Sequence, residues 1–194
     1  MIIPTLRTER LEIRTLRPAD LPACHQLYED IVWGNPELSG AQRLDHRKSW
    51  IAWSIDSARE LARLHQPPYG DRAVVWAETG ELIGLVGLVP AFGPFGGLPS
   101  FGGDSQARNT PEIGLFWAIS PSRQRLGLAT EAARALIDVA FDQLGVARVI
   151  ATTDHDNHAS IGVMRRLGMT LERNPSADPF WFQTVGRLDA GAGG

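Results

Sequence analysis

Cysteine is almost absent from this sequence. One residue, Cys24, in 194 leaves no partner for an internal disulfide, so the fold must stand on its apolar core, and a reducing cytoplasm is the compartment it suits. Long hydrophobic runs are missing too. No stretch approaches the roughly 20 apolar residues that cross a bilayer, and the first residues turn polar too soon for a secretory signal. Neither a membrane partner nor export is expected. Basic charge is not in excess, with 19 Lys and Arg against 22 Asp and Glu for a net charge of −3. Without a basic stripe interleaved with aromatics, nucleic acid is not an expected partner either. Tyrosine is down to Tyr28 and Tyr69, which narrows the choice of phenolic proton donors, and no internal repeat is present.

What remains is an ordinary globular composition, 43% hydrophobic and 21% charged, at a size that makes one domain without metal or disulfide support. Leu11 to Leu16 alternates and predicts a strand. Asp20 is placed to cap a helix running to about Tyr28, with Pro22 in its first turn and Cys24 on its apolar face as a buried thiol. After an irregular stretch around Trp33, a long helix is expected from about Ala41 to Leu64, with Trp50, Trp53, Ser57, Ala58, Leu61 and Ala62 on one face. Strands over 72–78 and 81–89 follow as a hairpin through Thr79 and Gly80. Gly84 and Gly87 inside the second strand predict a bulge or a close neighbour. Residues 90–111, rich in Gly and Pro and carrying three phenylalanines, read as a loop inserted over 91–110, either a substrate-side flap or a connection with no role.

Glu112 to Ile119 is an apolar run of strand length and Ser120-Pro121-Ser122 a turn. Ala129, Ala132, Ala133, Leu136, Ile137 and Ala140 then recur at spacings of three and four, the pattern of an amphipathic helix, closed near Gly145. The first turn of such a helix offers unpaired N–H groups and the positive end of the helix dipole. Gly127 removes a side chain there, Ala129 keeps the next contact small, and Arg123 and Arg125 add charge, so the stretch from Arg123 to Ala132 suits a phosphate or pyrophosphate. The same residues also serve as a plain helix entry with solvated arginines. Ala147 to Thr153 predicts a strand parallel to the one from Glu112. Asn157 opens a short helix to Leu167, strands near 169–173 and 180–187 follow, and 188–194 is a flexible tail. Adjacent parallel strands deliver their loops at the carboxyl ends, where ligands of open α/β sheets bind.

Gln124-x-x-Gly127-x-Ala129 resembles the Q/R-x-x-G-x-G/A acyl-CoA signature of the GNAT superfamily of N-acetyltransferases. Glu112-Ile-Gly, Ala129-Thr-Glu-Ala132, Asn157-x-x-Ser160 and Arg166-Leu-Gly-Met169 resemble the branch containing the ribosomal-protein N-terminal acetyltransferases, as do Arg7-Thr-Glu-Arg-Leu11 and Leu16-Arg-Pro-Ala-Asp20. This resemblance covers about residue 5 to about residue 187. It departs at Arg125, where many relatives carry Gly.

The resemblance implies one α/β (α+β) domain over 1–187, with a mixed, twisted sheet of about six to seven strands flanked by about four helices. It implies acetyl-CoA as co-substrate, contacted by Gln124, Arg125, Leu126, Gly127, Leu128, Ala129, Thr130 and Asn157 and by backbone at Trp117 and Ile119, with Arg165 and Arg166 joining Arg123 and Arg125 beside it. The implied reaction is direct acetyl transfer to a primary amine of a protein N-terminus or a small molecule, and a homodimer follows by analogy. A serine at the Ser160 position is the implied proton donor to the departing thiolate. Glu112 is the suggested base, directly or through water. Read locally, Asn157 is also a helix cap and Ser160 a first-turn residue. The long helix and the loop before it form one wall of the acceptor site in this fold, which makes Tyr28, Trp33, Trp50 and Trp53 candidate substrate contacts. The tight spacing of Asp154, His155, Asp156 and His158 does not by itself give a tetrahedral ligand set and no further ligand pair is evident elsewhere, so no metal is expected; either histidine can join a proton relay. The doubtful base and Arg125 keep a second class open, a catalytically silent acyl-CoA sensor on the same fold.

Overall fold

Alternation, turn chemistry and capping place most elements where the sequence puts them. The computed structural model describes residues 2–176, 178, 179 and 181–191. Its strands are β1 (Leu6–Arg7), β2 (Leu11–Thr15), β3 (Gly70–Trp76), β4 (Leu82–Gly93), β5 (Thr110–Ile119), β6 (Arg148–Thr153), β7 (Thr170–Arg173) and β8 (Thr184–Asp189). Four α-helices accompany them among the described residues: α1 (Leu21–Asp30), α2 (Gly40–Arg63), α3 (Leu128–Asp138) and α4 (His158–Arg166). The strands form one mixed sheet in the order β1-β2-β3-β4-β5-β6-β8-β7. The strand beyond the six or seven expected is β1, two residues long and too short for any periodicity to show; it pairs Leu6 with Ile13 and Arg7 with Glu12. No helix among the described residues is long and apolar enough to cross a membrane.

The chain divides into two compact units, one of residues up to Leu88 with Phe116–Ala135, the other of Val89–Leu115 with the chain from Leu136 onward. In the first, β2, β3 and β4 run antiparallel, with a bulge where the partner of β3 jumps from Gly84 to Leu82. Gly84 also meets the expectation of a close neighbour, since a Cβ there would be driven into the Ala118 carbonyl. The core of this unit gathers Leu16, Cys24, Leu27, Tyr28, Ile51, Ala73, Val75 and Leu85. Cys24 is fully buried, and burial pushes its thiol up to about 12, as suits a structural residue. α2 begins with a capping box in which Ser39 and Gln42 bond reciprocally, which stops the helix fraying at the end nearer α1.

Asp20 corrects one expectation. It does not cap α1 with its side chain. Its carboxylate instead accepts two hydrogen bonds from Arg14, at 2.8 and 2.9 Å, and one from the Arg17 N–H at 2.7 Å, inside a 3₁₀ turn over Pro18–Asp20. Burial acts to raise the carboxyl, but these donors overcome it and hold it below its ordinary range.

In the second unit β6 pairs antiparallel with β8, and β8 with β7. Its core holds Phe95, Leu98, Ile150, Phe182 and Val185, with Phe95 and Phe182 edge to face at 5.1 Å. Most of residues 90–111 is therefore not a loop. β4 runs on to Gly93, 3₁₀ turns over Phe95–Gly97 and Pro99–Phe101 sink Phe95 and Leu98 into the core, and β5 starts at Thr110. Phenylalanine at this spacing among glycines packs without forming a periodic element, which composition alone reads as loop. The helix expected to reach 143 does so by closing α3 with a π-helical turn over Val139–Gln143, and Gly145 follows at φ 65°. β8 extends to Asp189, two residues into the expected tail, and begins at Thr184 because Asn174 holds the preceding segment through the Phe182 carbonyl at 2.7 Å. Phe180, expected to start that strand, and tail residues 192–194 lie outside the described residues.

Candidate active site

β5 delivers its carboxyl end into a loop whose backbone is set up for an anion. A 3₁₀ turn over Pro121–Arg123 leads to Arg125 at φ 62° and Gly127 at φ 80°, and α3 starts at the next residue. Gln124 Nε2 donates to the Ile119 carbonyl at 3.0 Å, folding the loop back on the strand end. The N–H groups of Gly127, Leu128, Ala129 and Thr130 donate to no acceptor among the described residues; Glu131 is the first whose N–H bonds back, to the Gly127 carbonyl at 3.0 Å. Thr130 Oγ1 is buried without a partner. Free N–H groups at a helix start, a buried free hydroxyl and a missing side chain at Gly127 together make an anion cradle. Arg125 takes the left-handed conformation that favours Gly. A non-glycine residue there stores on the order of 1 kcal/mol of strain.

The arginines divide. Arg123 turns away to Glu81, at 2.7 Å, and lies 5.2 Å from the Trp76 ring, so its charge is already partnered. Arg165 and Arg166 occupy the last turn of α4, the end away from Asn157, where cations complement the helix dipole. Among the four arginines expected beside a cofactor, Arg125 alone stays at the cradle without an ion pair among the described residues.

What sequence reasoning missed is the clamp behind the cradle. Glu131 accepts from Thr8 Oγ1 at 2.6 Å, from the Arg10 N–H at 3.0 Å and from Arg10 Nε at 2.8 Å, while Arg10 Nη1 reaches the Leu126 carbonyl at 3.0 Å. Burial works to raise the Glu131 carboxyl, and the Thr8 and Arg10 donors bring it below its usual range. Both halves of the clamp fall in segments that carry the family resemblance, Arg7 to Leu11 and Ala129 to Ala132. Their pairing was the available signal.

In the second unit Asn157 caps α4, its Oδ1 accepting the Ser160 N–H at 3.1 Å. The half-buried Ser160 hydroxyl bonds to no group among the described residues, so it is free to act. Glu112 is engaged. Both its oxygens accept from Arg148, at 2.5 and 2.8 Å, and its side chain is 7% exposed. This pairing occupies one lone pair of each oxygen and leaves the second on each. His155 is also engaged: its N–H donates to Gln183 Oε1 and its Nδ1 lies 2.9 Å from Thr184 Oγ1. Among the described residues no three His, Cys, Asp or Glu side chains converge as a metal site would need. β5 and β6 touch through the single parallel pair Gly114 with Ile150, and a cavity of about 300 Å³ opens there, lined by residues 89–92, Gly114, Leu115, 150–152 and Trp181.

The four aromatic candidates separate as well. Tyr28 is buried, edge-on to Trp50 at 5.6 Å; its ring belongs to the core of the first unit, and burial raises its phenol. Trp33 is exposed, 6.3 Å from the Phe116 ring, and Trp53 is exposed on the outer side of α2.

Direct comparison gives the family. The family model described as "Acetyltransferase (GNAT) domain" matches residues 10–170. The chain belongs to the GNAT acetyltransferases. The uncharacterized N-acetyltransferase YoaA of Bacillus subtilis is 27% identical over 172 residues, which is 88% of this chain and 85% of that protein. Among solved structures, an acetyltransferase from Agrobacterium tumefaciens superposes with a TM-score of 0.67 at 28% identity, covering 97% of this chain and 95% of that one. RimL, a ribosomal L7/L12 alpha-N-protein acetyltransferase solved with coenzyme A, shares the fold with a TM-score of 0.61 at 18% identity, over 99% of each chain.

Proposed function

We propose that this protein is an acetyl-CoA-dependent N-acetyltransferase of the cytoplasm that moves the acetyl group directly to a primary amine. The observation that carries this reading is the cradle of free N–H groups over Gly127–Thr130 with the unpartnered Thr130 hydroxyl, a receptor for the pyrophosphate of CoA. Gln124, Arg125, Leu126 and Ala129 shape it, Asn157 contacts the cofactor while capping α4, and backbone at Trp117 and Ile119 pairs with the pantetheine arm. The Ile119 carbonyl is then shared with Gln124. The amine nitrogen attacks the thioester carbonyl, the carbon–sulfur bond breaks, and the thiolate takes the Ser160 hydroxyl proton; the surplus proton of the new amide nitrogen passes through solvent to restore the Ser160 hydroxyl. With Glu112 held by Arg148, the neutral fraction of the amine itself supplies the nucleophile.

That engagement of Glu112 favours the second reading to the extent that a sensor needs no base. Calorimetry with acetyl-CoA, followed by thiol release against peptides, amino acids, polyamines and aminoglycosides, separates the two. Ser160→Ala is expected to lower turnover about 100-fold or more while leaving acetyl-CoA affinity within about twofold. Binding without release from any amine identifies the sensor, and no binding at all overturns both readings.

A further inference from the structure

The cavity of about 300 Å³ beside the Gly114–Ile150 pair has an uncharged lining. Every residue of that lining belongs to the second unit, and among the described residues Thr152 supplies its one hydroxyl. The space is about twice the ~150 Å³ that takes up a benzene ring in an apolar cavity.

Its place in the sheet gives it a side. A Cβ at Gly114 would lie 3.0 Å from Val89 Cγ2 and 3.4 Å from Ala91 Cβ, so these three share a face. Ile150, the register partner of Gly114, shows its side chain on that same face, with Phe95 and Phe182. α4 covers the opposite face: Gly186 pairs with Ala151, and a Cβ on Gly186 would lie 3.2 Å from Met164 Sδ. Ile150 and Thr152 alternate with Ala151 and so point away from α4. The helix that carries Ser160 is thus on one face, and the cavity opens on the other, where β5 and β6 stop pairing. Direct transfer needs an amine to meet a thioester across such an opening.

Two large aromatic side chains of the lining keep open surface, Trp181 at 37% and Phe92 at 60%. Trp181 is firmly placed. Its ring sits edge to face with the buried Phe182 at 5.6 Å, and Phe182 in turn with Phe95. A Cβ on Gly93 would come within 2.9 Å of Trp181 Cη2, so the ring rests on bare backbone of β4. Asn174 holds the turn from behind, Nδ2 donating to the Phe182 carbonyl and the backbone N–H to the Gln183 carbonyl, each at 2.7 Å. A rigid aromatic wall loses little entropy when a ligand packs on it.

We propose that this cavity seats the apolar arm of the acceptor amine, an aryl or branched-alkyl group packed on Trp181 and Phe92, with Trp181 setting the specificity. This rests on the acetyltransferase reading and narrows its amine. A polyamine would leave its second ammonium desolvated in an uncharged lining, and the one carboxylate of β5, Glu112, is neutralised by Arg148. A free amino acid would bring a carboxylate to a lining that holds no cation among the described residues.

Thiol release by the full chain with acetyl-CoA is measured for 2-phenylethylamine, ethylamine, spermidine and phenylalanine, and for phenylalanyl and glycyl dipeptide amides. 2-Phenylethylamine is expected to exceed ethylamine and spermidine at least about 30-fold in kcat/KM. A matching lead of the phenylalanyl over the glycyl peptide puts the arm on a protein N-terminus, and its absence puts the arm on a free amine; the pocket stands in both. Trp181→Ala should cut the aryl preference to within about threefold, chiefly through the KM of the amine, with acetyl-CoA affinity held within about twofold. Trp181→Phe should restore most of the preference. Phe92→Ala, at an exposed position, gives a smaller cut and serves if the alanine variant at Trp181 does not fold. No aryl preference overturns the pocket, as does a preference unchanged in both alanine variants. A rate higher with hexanoyl-CoA than with acetyl-CoA and blind to the amine's arm gives the cavity to the donor and overturns it too. If no amine is acetylated, the transferase reading fails alone, and calorimetry of 2-phenylethylamine with the CoA-loaded and free protein decides the pocket: binding lost in Trp181→Ala supports it, and no binding overturns it.

Discussion

Two carboxylates, one in each unit, are handled in opposite ways. Glu112 in the second unit is closed off by Arg148, each oxygen receiving its own N–H, and Phe101 stacks beside the arginine at 5.1 Å. Asp71 in the first unit has an arginine for a neighbour, yet Oδ1 stays unpartnered and Arg47 spends its face on Tyr28 instead. A paired carboxylate contributes to holding strands together and resists change of role. An unpaired one costs stability. The family resemblance pointed to the first carboxylate for chemistry, and the fold sets both its oxygens on Arg148.

Mutations sharpen this contrast. Phe95→Ala, removing a side chain with no exposed surface from the core of the second unit, should cost about 3–5 kcal/mol in urea unfolding, showing that this segment is scaffold like the Glu112–Arg148 pair. Glu112→Gln leaves Arg148 without its charged partner and should cost about 1–3 kcal/mol by the same measurement. Asp71→Asn should act in the other direction. Its carboxyl sits near 6 in the folded chain against about 4 unfolded, so the folded state holds the extra proton, and stability falls as pH rises from about 4 to 6. Removing the charge should therefore stabilise the protein by on the order of 1–2 kcal/mol at pH 7 and by almost nothing at pH 4, read from thermal unfolding at the two values. Destabilisation at pH 7 would mean that Asp71 is paired after all and would erase the contrast. Asn157→Ala, the smallest effect, should cost about 1 kcal/mol through the lost cap of α4 and, on the proposed cofactor contact, raise the KM for acetyl-CoA.

Much of this was legible from local patterns. The bounds of α2, the β3–β4 hairpin, the β5–cradle–α3 unit and the Asn157 cap depend on residues within a few positions of one another, where periodicity and turn chemistry act. The cradle was legible for the same reason, since a helix start exposes its N–H groups whatever surrounds it. The partners of charged groups were not. Arg10 and Glu131 are 121 positions apart and Arg148 and Glu112 are 36 apart, and no spacing rule connects them. Residues 90–101 failed as a prediction because buried phenylalanines in 3₁₀ turns leave no repeat to detect.

By itself, then, the sequence determined the order of strands and helices and the place of the free N–H groups at the start of α3, because each follows from short-range backbone preference. Tertiary structure alone decided which charges are spent and which are available: Arg123 on Glu81, Glu112 on Arg148, Glu131 on Thr8 and Arg10, and Arg47 and Asp71 left without partners. A side chain's chemistry depends on what surrounds it at a few ångströms, and folding brings those surroundings from distant parts of the chain.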